Sequence, residues 1–98
     1  MDIKKTLDGE NLTISLAGRL DTLTSPELEK ELQESLSGVK NLVFDFADLE
    51  YISSAGLRVL LSAHKQMFNN GNMVVKNINE TVSEVFEVTG FSDVLNIE

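Results

Sequence analysis

Between Leu42 and Phe68 the chain changes its hydrophobic period, and that change limits the folds open to it. Leu42-Val43-Phe44-Asp45-Phe46 is a short apolar run rich in aromatic and branched residues, which favours a strand covered on at least part of both faces. Leu57, Leu60, Leu61, His64 and Phe68 then fall at helical spacing, so an amphipathic helix from about Ser54 to Phe68 is expected. The strand hands over to the helix through two adjacent hydroxyls, Ser53 and Ser54, followed by Gly56. A helix N-terminus carries unpaired N–H groups and the positive end of a dipole, so chemistry or recognition is expected at this corner.

The flanking segments extend the pattern. Ile3 to Leu7 and Leu12 to Ala17 read as two strands joined by Asp8-Gly9-Glu10, a hairpin signal. Gly18 to Thr24 reads as a loop. Thr24-Ser25-Pro26-Glu27 then opens a helix running to about Leu36, with hydroxyl caps, an early proline and early acids. Leu28, Leu32 and Leu36 give that helix one apolar stripe, and Ser37-Gly38 closes it. After Phe68, Asn69-Asn70-Gly71-Asn72 is a turn cluster, Met73 to Lys76 a short strand, and Asn79-Glu80-Thr81 the start of a third helix that Gly90 ends. Ser92 to Glu98 fits either one more helical turn or a terminal strand. The order β-β-α-β-α-β-α predicts an α/β fold, with an opening β-hairpin followed by βα units that build a mixed four- or five-stranded sheet packed with helices.

At 98 residues, without a linker, repeat or low-complexity tract, the chain suits one domain over residues 1–98. Sixteen acidic residues against eight basic ones leave a net charge of −8, which repels phosphate backbones and anionic lipid surfaces, so nucleic acid is not an expected partner. The acids are dispersed, as in Glu27, Glu29, Glu31 and Glu34, and read as solvated helix faces. With no cysteine there is neither a disulfide framework nor a thiolate nucleophile. No signal-peptide-like start and no long uncharged apolar run is present, so direct membrane insertion is not expected and the cytoplasm is the default location.

Nothing in the chain assembles an enzyme's machinery. His64, the only histidine, lies on the apolar side of a helix and reads as a partly buried packing residue. Asp45 and Asp48 are joined by nothing at metal-ligand spacing and read as residues that end a strand and order a loop. A glycine-rich phosphate loop with lysine is missing, and no cofactor is expected.

Four fragments in order carry a resemblance: Gly18-Arg19-Leu20-Asp21, Ser25-Pro26-Glu27-Leu28, Asp45-Phe46-Ala47-Asp48-Leu49, and Ile52-Ser53-Ser54-Ala55-Gly56-Leu57-Arg58-Val59-Leu60-Leu61. Together they resemble the anti-sigma factor antagonists, the bacterial single-domain members of the STAS family, over essentially the whole chain. The resemblance implies a STAS-like fold and a partner switch without catalysis by the chain itself. The unphosphorylated antagonist captures an anti-sigma factor serine kinase, phosphorylation of one hydroxyl by that kinase breaks the complex, and a serine phosphatase resets it. ATP would then belong to the kinase.

Many family members read Asp-Ser-Ser-Gly-Leu or Asp-Ser-Thr-Gly-Leu at this corner. Aligned on Gly56-Leu57, Ser53 takes the aspartate position, Ser54 the first hydroxyl and Ala55 the second. The resemblance therefore implies Ser54 as first choice of phosphoacceptor, with Ser53 second. Helix capping is the competing account of both hydroxyls. Asp21, Ser53, Ser54, Gly56 and Arg58 are the expected partner-facing residues. For Asp21 a bond to its own backbone is an equal alternative, and for Gly56 a packing role is compatible with close approach by a partner. Ser53 and Ala55, as departures from the pattern, also fit a subunit that docks on a transporter or signalling scaffold without switching. Whether the chain forms a homodimer is open at this stage.

Overall fold

The computed structural model describes Met1–Glu98. Two strands, β1 (Asp2–Asp8) and β2 (Asn11–Leu20), form the opening antiparallel hairpin. Then follow α1 (Ser25–Ser35), β3 (Asn41–Ile52), α2 (Ser54–Phe68), β4 (Asn72–Lys76) and α3 (Glu80–Thr89). The sheet has four strands in the order β1-β2-β3-β4, with β2, β3 and β4 mutually parallel. That mixed sheet follows from a hairpin and two helical crossovers.

One continuous core explains the placement of the elements. Leu12, Ile14 and Leu16 of β2 and Leu42, Phe44 and Phe46 of β3 turn to the same side. There they meet Leu28 and Leu32 of α1, Leu57, Leu60, Ala63 and Met67 of α2, and Val82 and Phe86 of α3. No helix is long and apolar enough to cross a membrane. The third helix is delimited as the sequence predicts: the Asn79 side chain accepts from Val82 N–H at 2.8 Å, and Gly90 ends the helix in the left-handed region.

Several expectations are corrected. Gly18, Arg19 and Leu20 belong to β2 rather than to a loop. Asp45 and Asp48 do not end β3, which continues to Ile52. Two register shifts against β2 explain why: Ser15 faces Asp45 but Ala17 faces Asp48, and Gly18 faces Leu49 but Arg19 faces Tyr51. At each shift β3 carries one extra residue, the signature of a β-bulge. Gly18, at φ 102°, supplies backbone freedom where β2 bends past the bulges. Phe68 lies at helical spacing but is 75% exposed at the end of α2. Both alternatives for the C-terminus are realised in miniature. Phe91–Asp93 form a single 3₁₀ turn, and Ile97 makes one bridge to Val75, so no full fifth strand forms.

Candidate functional site

The second bulge carries β3 past the end of β4 and delivers its last residue, Ile52, beside Leu20. There Ser53 N–H donates to the Leu20 carbonyl at 2.9 Å, and the Ser53 carbonyl accepts from Leu57 N–H at 3.0 Å, opening α2. Ser53 is therefore the N-cap residue, with extended backbone, and Ser54 is the first helical residue. Neither hydroxyl caps the helix, which corrects the capping account. Ser54 is exposed. The Ser53 Oγ is instead sealed from solvent and makes no hydrogen bond. An unpaired buried hydroxyl costs about 1–3 kcal/mol relative to a satisfied one. Ser53→Ala is thus expected to leave stability unchanged or to raise it by up to about 1 kcal/mol, measured by urea unfolding. A loss of more than about 1 kcal/mol would mean that the hydroxyl has a partner after all.

Gly56 faces inward. A Cβ built on it would lie 2.8 Å from Ile52 Cγ1, 2.8 Å from Leu20 Cγ and 2.9 Å from Leu20 Cδ2. The packing role expected for it is therefore present: it lets α2 settle directly on β2 and β3, and so sets the height at which Ser54 stands. Leu57 is buried in the core, and Arg58 points to solvent.

Asp21 sits at the rim of the same corner. Its Oδ1 accepts from Leu23 N–H at 3.0 Å and from Thr24 N–H and Oγ1, each at 3.2 Å. Thr24 Oγ1 donates in turn to the Arg19 carbonyl at 2.8 Å, so it braces the loop instead of capping α1. Ser25 Oγ donates to the Asp21 carbonyl at 2.5 Å. The Thr24 N–H, foremost, holds the Asp21 carboxyl below the usual carboxylate range. Asp21 therefore bonds its own turn, and the carboxylate fixes the loop's shape.

That shape has a consequence the sequence does not announce. Leu23 is held outward, 89% exposed, on a loop cross-braced by five hydrogen bonds from and to Asp21 and Thr24. Thr22 lines a groove of about 310 Å³ between α1 and α2, together with Ser25, Glu29, Ala55, Arg58 and Ser62. The corner thus joins a free alcohol, a cation, a groove of mixed lining to which Pro26 and Val59 add apolar surface, and one bare apolar side chain. Beside it, the Arg19 guanidinium lies 4.5 Å above the Tyr51 ring, a cation–π contact between paired positions of β2 and β3.

The remaining titratable candidates serve the scaffold. Asp45 Oδ1 accepts from Asn77 Nδ2 and from Ala47 N–H, both at 3.0 Å, and the Asn77 bond chiefly holds its carboxyl below the usual range. His64 is half-buried, its ring set edge-on to Phe68 at 6.2 Å. Since Asp21 and Asp45 are both favoured as carboxylates in the fold, their stabilisation is complete above the unfolded carboxylate pKa of about 3.9 and is lost as pH falls through their lower native values. The urea midpoint should accordingly drop below about pH 4, and less steeply in the Asp21→Asn/Asp45→Asn double variant. An unchanged acid slope in that variant would contradict the assignment.

Comparison with known proteins places this geometry. BtrV of Bordetella bronchiseptica, a candidate anti-sigma factor antagonist, is 36% identical over 88% of this chain and 76% of its own length. The anti-sigma-B factor antagonist of Listeria monocytogenes is 28% identical over 96% of this chain and 84% of its own. The Bacillus anti-sigma factor antagonist SpoIIAA has been solved in two states. Its unphosphorylated form superposes with a TM-score of 0.86 at 19% identity, over 99% of this chain and 88% of that one. Its phosphorylated form does so with a TM-score of 0.77 at 18% identity, over 99% and 91%. The STAS domain model matches residues 2–98, and with the hairpin, the parallel strands and the serine corner in view the chain belongs to the STAS domain family.

Proposed function

We propose that the protein is an anti-sigma factor antagonist working as a phosphorylation-controlled partner switch in the cytoplasm. In its unmodified state it docks on an anti-sigma factor serine kinase through Ser54, Arg58, Leu23 and the groove between α1 and α2. The kinase transfers the γ-phosphoryl group of its own ATP to Ser54 Oγ: the new O–P bond forms as ADP leaves, and the hydroxyl proton passes to a base of the kinase. The modified protein dissociates, and a serine phosphatase restores the alcohol by hydrolysis.

One observation carries this reading: Ser54 presents an exposed hydroxyl at a helix N-terminus, and the fold makes no use of it. Ser53 Oγ, sealed in the interior, offers a kinase no access. A phosphoryl group adds about −1.5 to −2 charge and three acceptor oxygens. First-turn N–H groups and the helix dipole favour it locally, so the fold is retained. A protein partner covering Ser54 would have to desolvate the same charge, so the complex is not retained. The names of the relatives and the two phosphorylation states of SpoIIAA support the same direction.

Phosphotransfer tests the reading. Incubation with the anti-sigma kinase and ATP, followed by intact-mass measurement and peptide mapping, should place one phosphate on Ser54 and none on Ser54→Ala. No mass gain on the wild type would overturn the switch and leave a docking subunit of a transporter or scaffold. Phosphate on Ser53 would overturn the choice of acceptor.

A further inference from the structure

We infer that Asn70–Gly71, in the turn between α2 and β4, is a site of spontaneous deamidation whose isoaspartyl product loosens the attachment of β4. Asn70 is the only asparagine in the chain followed by glycine, and both residues are exposed. Elsewhere the following residue carries a side chain that shields the backbone nitrogen, as in Asn11-Leu12, Asn41-Leu42, Asn77-Ile78 and Asn96-Ile97.

The reaction needs only water. The Gly71 backbone nitrogen, having lost its proton to hydroxide, attacks Asn70 Cγ. An N–Cγ bond forms, the Cγ–Nδ2 bond breaks, and the amide leaves as ammonia after taking a proton from water. The resulting succinimide is hydrolysed at either carbonyl, giving aspartate or isoaspartate and one new negative charge.

In the folded molecule both reacting groups are held. Gly71 N–H donates to the Met67 carbonyl at 2.8 Å, and Asn70 Nδ2 donates to the Gln66 carbonyl at 2.8 Å. Both acceptors belong to the last turn of α2, so attack requires that turn to open. Helix ends open far more readily than cores, which makes the native fold a brake rather than a block.

The product does not fit. A Cβ at Gly71 would overlap the Lys40 carbonyl, so the turn lies directly against the entry to β3. Asn72 N–H donates to that same carbonyl at 2.8 Å, beside the first β3–β4 pairing, Asn41 with Asn72. Isoaspartate inserts an extra methylene into the main chain where there is no slack, and its charge lies at the negative end of the α2 dipole. Ser54 is at the other end of this helix, about 22 Å away at 1.5 Å per residue, so the docking corner is spared.

Ageing the intact protein at mildly alkaline pH tests this, with a parallel sample in concentrated urea, isoaspartyl methyltransferase labelling and peptide mapping. Label should accumulate at Asn70 ahead of every other asparagine, at least about tenfold faster in urea, and should be absent at that position in Asn70→Gln. Aged wild type should melt at a lower temperature than fresh protein, while Asn70→Gln should melt at the same temperature before and after ageing. Label appearing first elsewhere, equal rates in native buffer and urea, or an unchanged melting temperature in labelled protein would each overturn the inference.

Discussion

Gly56→Val is expected to lower the unfolding free energy by about 3 kcal/mol, near the upper end of overpacking costs. Even a Cβ would stand 2.8–2.9 Å from atoms of Ile52 and Leu20, and both of those side chains are fully buried. Neither can swing into solvent to make room, so the strain passes to the backbone where α2 rests on the sheet. Replacing a helical glycine recovers about 1 kcal/mol of propensity, or less for a β-branched valine, which does not offset the clash. For a domain of this size each kcal/mol shifts the melting temperature by about 4–8 °C, so calorimetry should record a fall of about 12–24 °C. A change within about 0.5 kcal/mol would mean that α2 does not sit on Leu20 and Ile52 as described. Gly56→Ala should fall between, at about 1–2 kcal/mol.

The second large effect concerns binding rather than folding. Ser54→Glu should weaken capture of the anti-sigma kinase by about 100-fold or more, equivalent to about 2.7 kcal/mol, while Ser54→Ala stays within about threefold of wild type. The asymmetry is the informative part. Removing an exposed hydroxyl that has no partner in the fold costs little, whereas a charge at the same position must be dehydrated when a partner closes over it. Both variants should keep the wild-type melting temperature within a few degrees, because position 54 is exposed and an acid in the first helical turn is favoured by the dipole. Equal affinity for Ser54→Glu and Ser54→Ala would place the kinase on another face.

Much of this corner was legible in the sequence, and the parts that were not have identifiable causes. The bounds of α2, the Asn79 cap and the Gly90 stop follow from local chemistry that tertiary contacts do not override. The second half of β3 was hidden because its two bulges shift the inward phase from Phe44 and Phe46 to Leu49 and then Ile52. A strict two-residue period breaks at each step, and Ala47-Asp48 then reads as a turn. A serine at the N-cap position locally favours capping, but the structure buries the Ser53 hydroxyl without a partner instead. Leu23 lies in a segment that reads only as a loop, and nothing local reveals that the Asp21 carboxylate holds the loop so that this leucine faces water.

In the proposed switch, one free alcohol at the start of α2 controls docking while leaving the fold alone. Isothermal titration of the anti-sigma kinase with unmodified protein and with protein carrying phosphate on Ser54, each checked by thermal melting, addresses it most directly. The dissociation constant should be at least about 100-fold larger for the phosphorylated form, with melting temperatures that agree within a few degrees. Matching dissociation constants, or a phosphorylated form that has lost its cooperative melt, would contradict the switch.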